Sequence, residues 1–171
     1  MVAAGGRIRL DIWGPIEDEE YAAECRRAAQ AAPASVTIRW CGDLRHEDVA
    51  PLMRDYDALL LPTLGENFGH AIFEALSCGL PVVTSDRTPW RELQRLGIGA
   101  DLPLDREDAF VDEVRRLRDM TGEAYAALRE RCVAFAVEWR REHDGVEAHR
   151  RMFRRALASS GGLVGRPAPE D

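Results

Sequence analysis

The chain has 171 residues, enough for one compact domain, and its 46% hydrophobic and 31% charged content predicts a folded core rather than disorder. The formal net charge of −7 argues against general nucleic-acid binding. All 23 cationic side chains are arginine; without lysine, a Walker-type phosphate loop and Schiff-base chemistry are excluded.

Taken in chain order, Arg7–Trp13 alternates polar and apolar residues and stops at Gly14-Pro15, the pattern of a strand. Glu17–Ala32 predicts a helix ending before Pro33, and Val36–Cys41 a second strand closed by Gly42-Asp43. Asp48–Tyr56 predicts a short helix with Pro51 in its first turn. Ala58–Pro62 is continuously apolar, as in a strand buried on both faces. Gly69–Ser77 is helical, and Leu80–Ser85 is a strand that tolerates Pro81 only near its start. Thr88–Leu96 predicts a short helix and Ile98–Leu102 a fifth strand. The remainder is helical: Glu107–Met120, then Glu123–His143. A further helix opens at a capping box, Asp144–Glu147, and runs to about Ala158.

Strand and helix therefore alternate about five times. That alternation predicts an α/β fold: a Rossmann-like parallel sheet sandwiched by helices, with C-terminal helices. One domain is expected over residues 1–158, and the Gly- and Pro-rich 159–171 is expected to be a disordered tail. In such sheets ligands bind beyond the carboxyl ends of the strands. The loops after Trp13, Cys41, Leu61 and Val83 are therefore the candidates.

The cysteines Cys25, Cys41, Cys78 and Cys132 are widely spaced, form no Cys-x-x-Cys pair, and are not completed to a zinc site by the four histidines. The expectation is reduced thiols, no metal, no cofactor and a cytoplasmic setting. No apolar run approaches the ~20 residues that span a bilayer. Met1–Gly6 lacks the apolar region of a signal peptide.

The informative segment is Leu59–Glu92. A strand ends in the loop Leu64-Gly65-Glu66-Asn67-Phe68-Gly69, and a helix starts at once. Such a helix points unpaired N–H groups and partial positive charge into the crevice, which suits a phosphate. Gly69 lets the phosphate approach the backbone. Glu74 lies five residues on, roughly 7.5 Å along the axis, about the span from a β-phosphate to its ribose. A bidentate carboxylate there suits the ribose hydroxyls. Glu66, on the other side of the seat, suits hydroxyls of a transferred sugar. The bland reading makes Glu66 an acid near a helix start and Glu74 a solvated residue. The apolar neighbours of Glu74 (Ile72, Phe73, Ala75 and Leu76) weigh against it, because an acid in such a run faces a cleft or carries a burial cost.

Pro62–Val83 resembles the signature of glycosyltransferase family 4, which has the two-domain GT-B fold. The family pattern is a Glu, seven residues, a second Glu with Ala, and a Gly-x-Pro-Val-Val strand; here these are Glu66, Glu74-Ala75 and Gly79–Val83. The likeness extends upstream to Leu10–Tyr21 and downstream to about Leu157. It implies the donor-binding half of a retaining enzyme that moves a sugar from a nucleoside diphosphate, UDP or GDP foremost, to an acceptor hydroxyl on the donor's front face. Glu66 would contact the sugar as the catalytic residue, and Glu74 the ribose. Asn67, Phe68 and Gly69 would lie by the diphosphate or sugar, and Gly42, Asp43 and Leu44 by the base. Gly14 and Arg91 complete the expected donor-binding set. His70 stands where the family more often has an aliphatic residue; donor contact and simple packing are both open to it.

The resemblance also implies what this sequence lacks: the Arg/Lys diphosphate clamp, the N-terminal strand–helix unit that carries it, and an acceptor domain, needed in cis or trans. Arg87 or Arg91 could offset part of the missing charge, and Trp90 reads as a lid or packing residue rather than a base platform. The arginine pairs of the C-terminal helices alternate with acids and read as solvated faces. The locally basic Arg150–Arg155 makes the last helix a candidate for peripheral membrane contact, and the stripe Phe135, Trp139, Val146, Phe153, Leu157 reads as core. Two other classes stand beside the transferase. A receiver-like phosphate sensor should end its third strand in Asp and carry a Lys on the fifth; this chain has Pro62-Thr63 and no Lys. A docking module would need a separate acceptor-domain protein.

Overall fold

The structure is a computed structural model, described here over residues 6–143. Over those residues the chain forms five strands and six helices: β1 Ile8–Trp13, α1 Glu19–Gln30, β2 Val36–Gly42, α2 His46–Met53, β3 Leu59–Leu61, α3 His70–Ser77, β4 Val82–Ser85, α4 Leu93–Leu96, β5 Gly99–Leu102, α5 Glu107–Arg118 and α6 Gly122–Glu142. Strand and helix alternate as the sequence predicts, and every strand pair is parallel. The α/β class is therefore correct. The capping box, the final helix, the basic Arg150–Arg155 and the tail lie outside the described residues.

The sheet is divided. β1 pairs β2, from Ile8 opposite Val36 to Ile12 opposite Trp40, with a register shift at Trp13. Separately, β3, β4 and β5 pair in that order. One continuous sheet is predicted, but no ladder joins β1 to β3. Among the described residues, each therefore keeps an unpaired edge. This corrects the reading of Ala58–Pro62 as a strand buried on both faces; the strand itself is Leu59–Leu61. All three leucines are half-buried, while every residue of β4, flanked on both sides, is buried.

Several boundaries also differ, three of them near the candidate site. α2 begins at His46 rather than Asp48, so Pro51 lies beyond its first turn, and the helix ends two residues later. Pro51 contributes no N–H, so the helix lacks the bond to the Glu47 carbonyl four residues back. The predicted helix from Thr88 shrinks to Leu93–Leu96, because 86–92 forms turns that end with Glu92 in a left-handed conformation. β5 begins at Gly99 rather than Ile98.

The core sits under β4 and β5. Val83 packs with Leu117 of α5 and Leu128 of α6, and Leu60, Leu102 and Phe110 close around them. Ile72, Ala75 and Leu76 bury one face of α3. α6 also fixes the approach to β3: the Tyr125 hydroxyl donates to the Asp57 carbonyl at 2.7 Å, and Arg129 donates to the carbonyls of Tyr56 and Cys78. The bond to Cys78 places a cation at the C-terminal end of α3, where the helix dipole favours it.

The chain divides into two compact units, Met1–Ala136 and Val137–Asp171. Within the described part of the second, Trp139 stacks on His143 at 4.2 Å and Arg141 pairs with Glu138 at 3.2 Å. Of the predicted apolar stripe, Phe135 and Trp139 are half-buried. Val146, Phe153 and Leu157 lie outside the described residues.

Candidate functional site

The loop after β3 is held from below by β4. Thr84 donates its hydroxyl to the Leu61 carbonyl at 2.8 Å, and Ser85 donates to the Thr63 carbonyl at 2.5 Å. Both side chains are fully buried, so these bonds are shielded from water. Thr63 then folds the chain back on itself: its hydroxyl donates to the Gly65 carbonyl at 3.0 Å and accepts from the Gly65 amide. Glu66 and Asn67 emerge exposed, Phe68 half-buried and Gly69 buried.

Gly69 is the N-cap of α3, with φ of 78°. A side chain here would be strained by that conformation and would also lack room. An added Cβ would lie 3.0 Å from Ile72 Cδ1 and 3.2 Å from Trp90 Nε1. No side chain caps the helix, and its first turn holds no acid. Among the described residues, the amides of Gly69, His70 and Ala71 have no protein acceptor. Free amides at the positive end of a helix are the kind of group that can receive an anion. Glu66, which precedes the helix start, makes no capping bond to it.

Glu74 is half-buried on α3, and its Oε1 lies 3.8 Å from His46 Nδ1. His46 opens α2, just past the Gly42-Asp43-Leu44 loop. The structure therefore brings the second acid of the motif up against the loop after β2. Gly14 joins the same end of the sheet, where its amide donates to the Gly42 carbonyl at 2.9 Å. Asp43 is exposed and Leu44 half-buried. His70 is exposed, its ring tilted against Phe68 at 4.8 Å.

The cations are distributed less simply. Arg91 is engaged by Asp101 at 3.6 Å, and that carboxylate is nearly buried. A phosphate would have to compete with Asp101 for Arg91. Asp101 also accepts from the Leu93 amide at 2.8 Å, which caps α4 from β5. The Arg87 backbone passes beside Gly65. Among the described residues, no three His, Cys, Asp or Glu side chains gather closely enough to share a metal ion.

Two residues near the site escaped sequence reasoning. His46 did so because α2 was expected to start two residues later; the Gly42–Leu44 loop just before it was the available signal. Trp90 was read as a lid or packing residue; it is packed, and its indole N–H donates to the Phe68 carbonyl, a partner that the sequence did not indicate. An open hollow of about 470 Å³ lies elsewhere, at the C-terminal end of α3, lined by Cys78, Gly79, Arg129, Glu130, Val133 and Ala134. The guanidinium in it is already committed to backbone carbonyls.

Known proteins resemble this chain in sequence or in fold. A phosphatidyl-myo-inositol mannosyltransferase of Mycobacterium leprae is 33% identical over 162 residues, covering 92% of this chain and 40% of that protein. This chain thus spans about two fifths of that relative's length. Among solved structures, WaaG, a glycosyltransferase involved in lipopolysaccharide biosynthesis, has a TM-score of 0.59 at 15% identity, over 79% of this chain and 44% of that one. HepE of Anabaena, solved with UDP-glucose, has a TM-score of 0.55 at 19% identity, over 75% and 35%. AviGT4, a glycosyltransferase involved in avilamycin A biosynthesis, has 0.55 at 20% identity, over 84% and 43%. At these identities the structural likeness speaks to the fold. Residues 2–119 match the family described as Glycosyl transferases group 1, and the chain belongs to that family.

Proposed function

We propose that this chain is the donor-binding domain of a retaining glycosyltransferase of family 4 type, which takes a sugar from a nucleoside diphosphate and gives it to an acceptor hydroxyl. The observation that carries the reading is the uncapped start of α3. Three amides there have no protein acceptor among the described residues, Glu66 precedes them, and Glu74 follows beside the loop after β2. The diphosphate sits on the amides of Gly69, His70 and Ala71. Glu74 accepts from the ribose hydroxyls, with the base toward Gly42–Leu44, and Glu66 accepts from the sugar hydroxyls.

In the reaction, the bond between the anomeric carbon and the diphosphate oxygen breaks as the acceptor oxygen bonds that carbon on the same face. The acceptor's proton leaves with the departing phosphate. Charge grows on the diphosphate, and fixed amide dipoles stabilise it without reorganising. No metal or cofactor enters this scheme, and the setting is cytoplasmic, in keeping with four unpaired thiols.

The experiment is calorimetric titration with UDP-glucose, GDP-mannose and an ADP-sugar, chosen because the relatives include a mannosyltransferase and a protein solved with UDP-glucose. One donor should bind, and Glu74→Ala should weaken it by about tenfold to a hundredfold, the cost of lost bonds to a charged acceptor. Absence of binding by all three, or binding indifferent to Glu74→Ala, would sink the reading.

The unpaired edges of β1 and β3 favour a second component. In this reading the chain is catalytically incomplete alone. It works with a strand–helix unit that pairs with those edges and with an acceptor-binding domain, in cis or in trans. Mixing the chain with such a partner should restore transfer to an acceptor; a mixture as inactive as the chain alone would count against it.

A further inference from the structure

We infer that Trp90 is a positioning residue for the anion seat: it turns the Gly69 amide toward the crevice by holding the Phe68 carbonyl on the opposite side. This rests on the donor-binding reading above and adds a residue outside the motif to it.

A trans peptide is planar, so the Phe68 C=O and the Gly69 N–H point in opposite directions. The Trp90 indole N–H donates to that carbonyl. Wherever this bond holds the oxygen, the Gly69 hydrogen is aimed the other way. Trp90 itself is tightly placed. It is 5% exposed, stacks on Phe73 at 5.8 Å and meets Phe68 edge-on at 5.5 Å and Phe135 at 6.3 Å. Its own backbone is fixed by Thr88, whose hydroxyl accepts from the Trp90 amide and donates to the Trp90 carbonyl, both at 3.3 Å. A ring this buried has no free face for a nucleotide base. The absent Cβ of Gly69 lets the indole come this close.

A phenylalanine at position 90 would keep the aromatic packing and lose the donor. The Phe68 carbonyl would then lose the indole donor, and rotation toward water is the cheapest replacement for it. That rotation carries the Gly69 N–H inward, away from a bound phosphate.

The test is Trp90→Phe in the full chain, titrated with UDP and GDP and with UMP and GMP, alongside its crystal structure. The expected result is a loss of about tenfold for the diphosphate, one hydrogen bond to a charged group, with the monophosphate changed by less than about twofold, since only the outer phosphate reaches the seat. A merely structural role would weaken both nucleotides alike, and that outcome overturns the inference. In the crystal, the Phe68–Gly69 peptide should be rotated. An unrotated peptide overturns the inference whether or not any nucleotide binds. A rotated peptide in a protein whose native form binds no nucleotide overturns the donor-binding reading instead.

Discussion

Arg39 of β2 grips Asp11 of β1 through both carboxylate oxygens, at 2.8 and 2.6 Å, and the two residues are direct partners in the strand register. The Tyr56 hydroxyl adds a third bond to the carboxylate at 2.6 Å, and Arg9 approaches to 3.3 Å. Tyr56 lies just ahead of β3 and also accepts from Trp13 Nε1 at 3.1 Å. A polar cluster therefore ties the β1–β2 pair to the start of β3, where no backbone ladder does. The Asp11 side chain is fully excluded from water, so a bidentate guanidinium is the partner that makes its charge tolerable.

This pair sets an acid limit. The Arg39 hydrogen bond is the main cause holding the Asp11 carboxyl at about 2, below its ordinary 3.8. A depressed carboxyl stabilises the fold above the unfolded value and loses that contribution as pH falls through the folded value. Resistance to urea should therefore fall between pH 4 and pH 2. Asp11→Asn should be less stable at pH 7 by about 2 kcal/mol and should flatten this part of the profile. An equally steep acid loss in the variant would show that other carboxylates control it.

The two acids of the motif should separate by ligand. Glu74→Ala should weaken a nucleotide and its sugar conjugate alike, because both contain the ribose. Glu66→Gln should leave the bare diphosphate within about twofold and weaken only the sugar conjugate, by about tenfold. Titration of this chain with UDP against UDP-glucose, or with the GDP pair, reads the difference. An equal effect of both substitutions on the bare diphosphate would remove the assignment of Glu66 to the sugar.

Cys132 should be the least reactive thiol. It is fully buried in α6, its Sγ lies 3.7 Å from the Ile98 carbonyl, and burial pushes its pKa up to about 12. The thiolate is the nucleophile, so Cys132 should resist alkylation at pH 8 in the folded protein while half-buried Cys25, Cys41 and Cys78 react. The sign for stability is opposite to that of Asp11. Above pH 9 the unfolded thiol ionises and the folded one does not, so this group lowers stability as pH rises. Mass spectrometry after brief alkylation, with and without urea, checks the order; early labelling of Cys132 without urea would refute it.

The sequence was informative wherever periodicity and local chemistry decide the outcome. The alternation in Arg7–Trp13, the apolar run at Leu59–Leu61 and the glycine ahead of α3 all mark elements that formed. The divided sheet escaped notice because edge or centre is a property of neighbours, and nothing within Leu59–Leu61 reveals that one neighbour is missing. Asp11 escaped for a related reason. Its place in the alternation suggests an outward polar face, and only the register with Arg39 shows that the carboxylate is enclosed. At the candidate site, the spacing of Glu66, Gly69 and Glu74 singled out the loop after β3 and the start of α3. Trp90's hold on Phe68 was not evident, because it joins positions 22 residues apart through a turn that had been read as helix.

The anion seat is built from main-chain N–H groups, and every amino acid except proline supplies one. Most replacements at His70 or Ala71 therefore leave the donor groups in place. The vulnerable points are those that shape the backbone: Gly69 by its conformation and Trp90 by its grip. A saturation screen of this loop for lost phosphate affinity should consequently return a sparse map, with hits concentrated at residues that bear no charge.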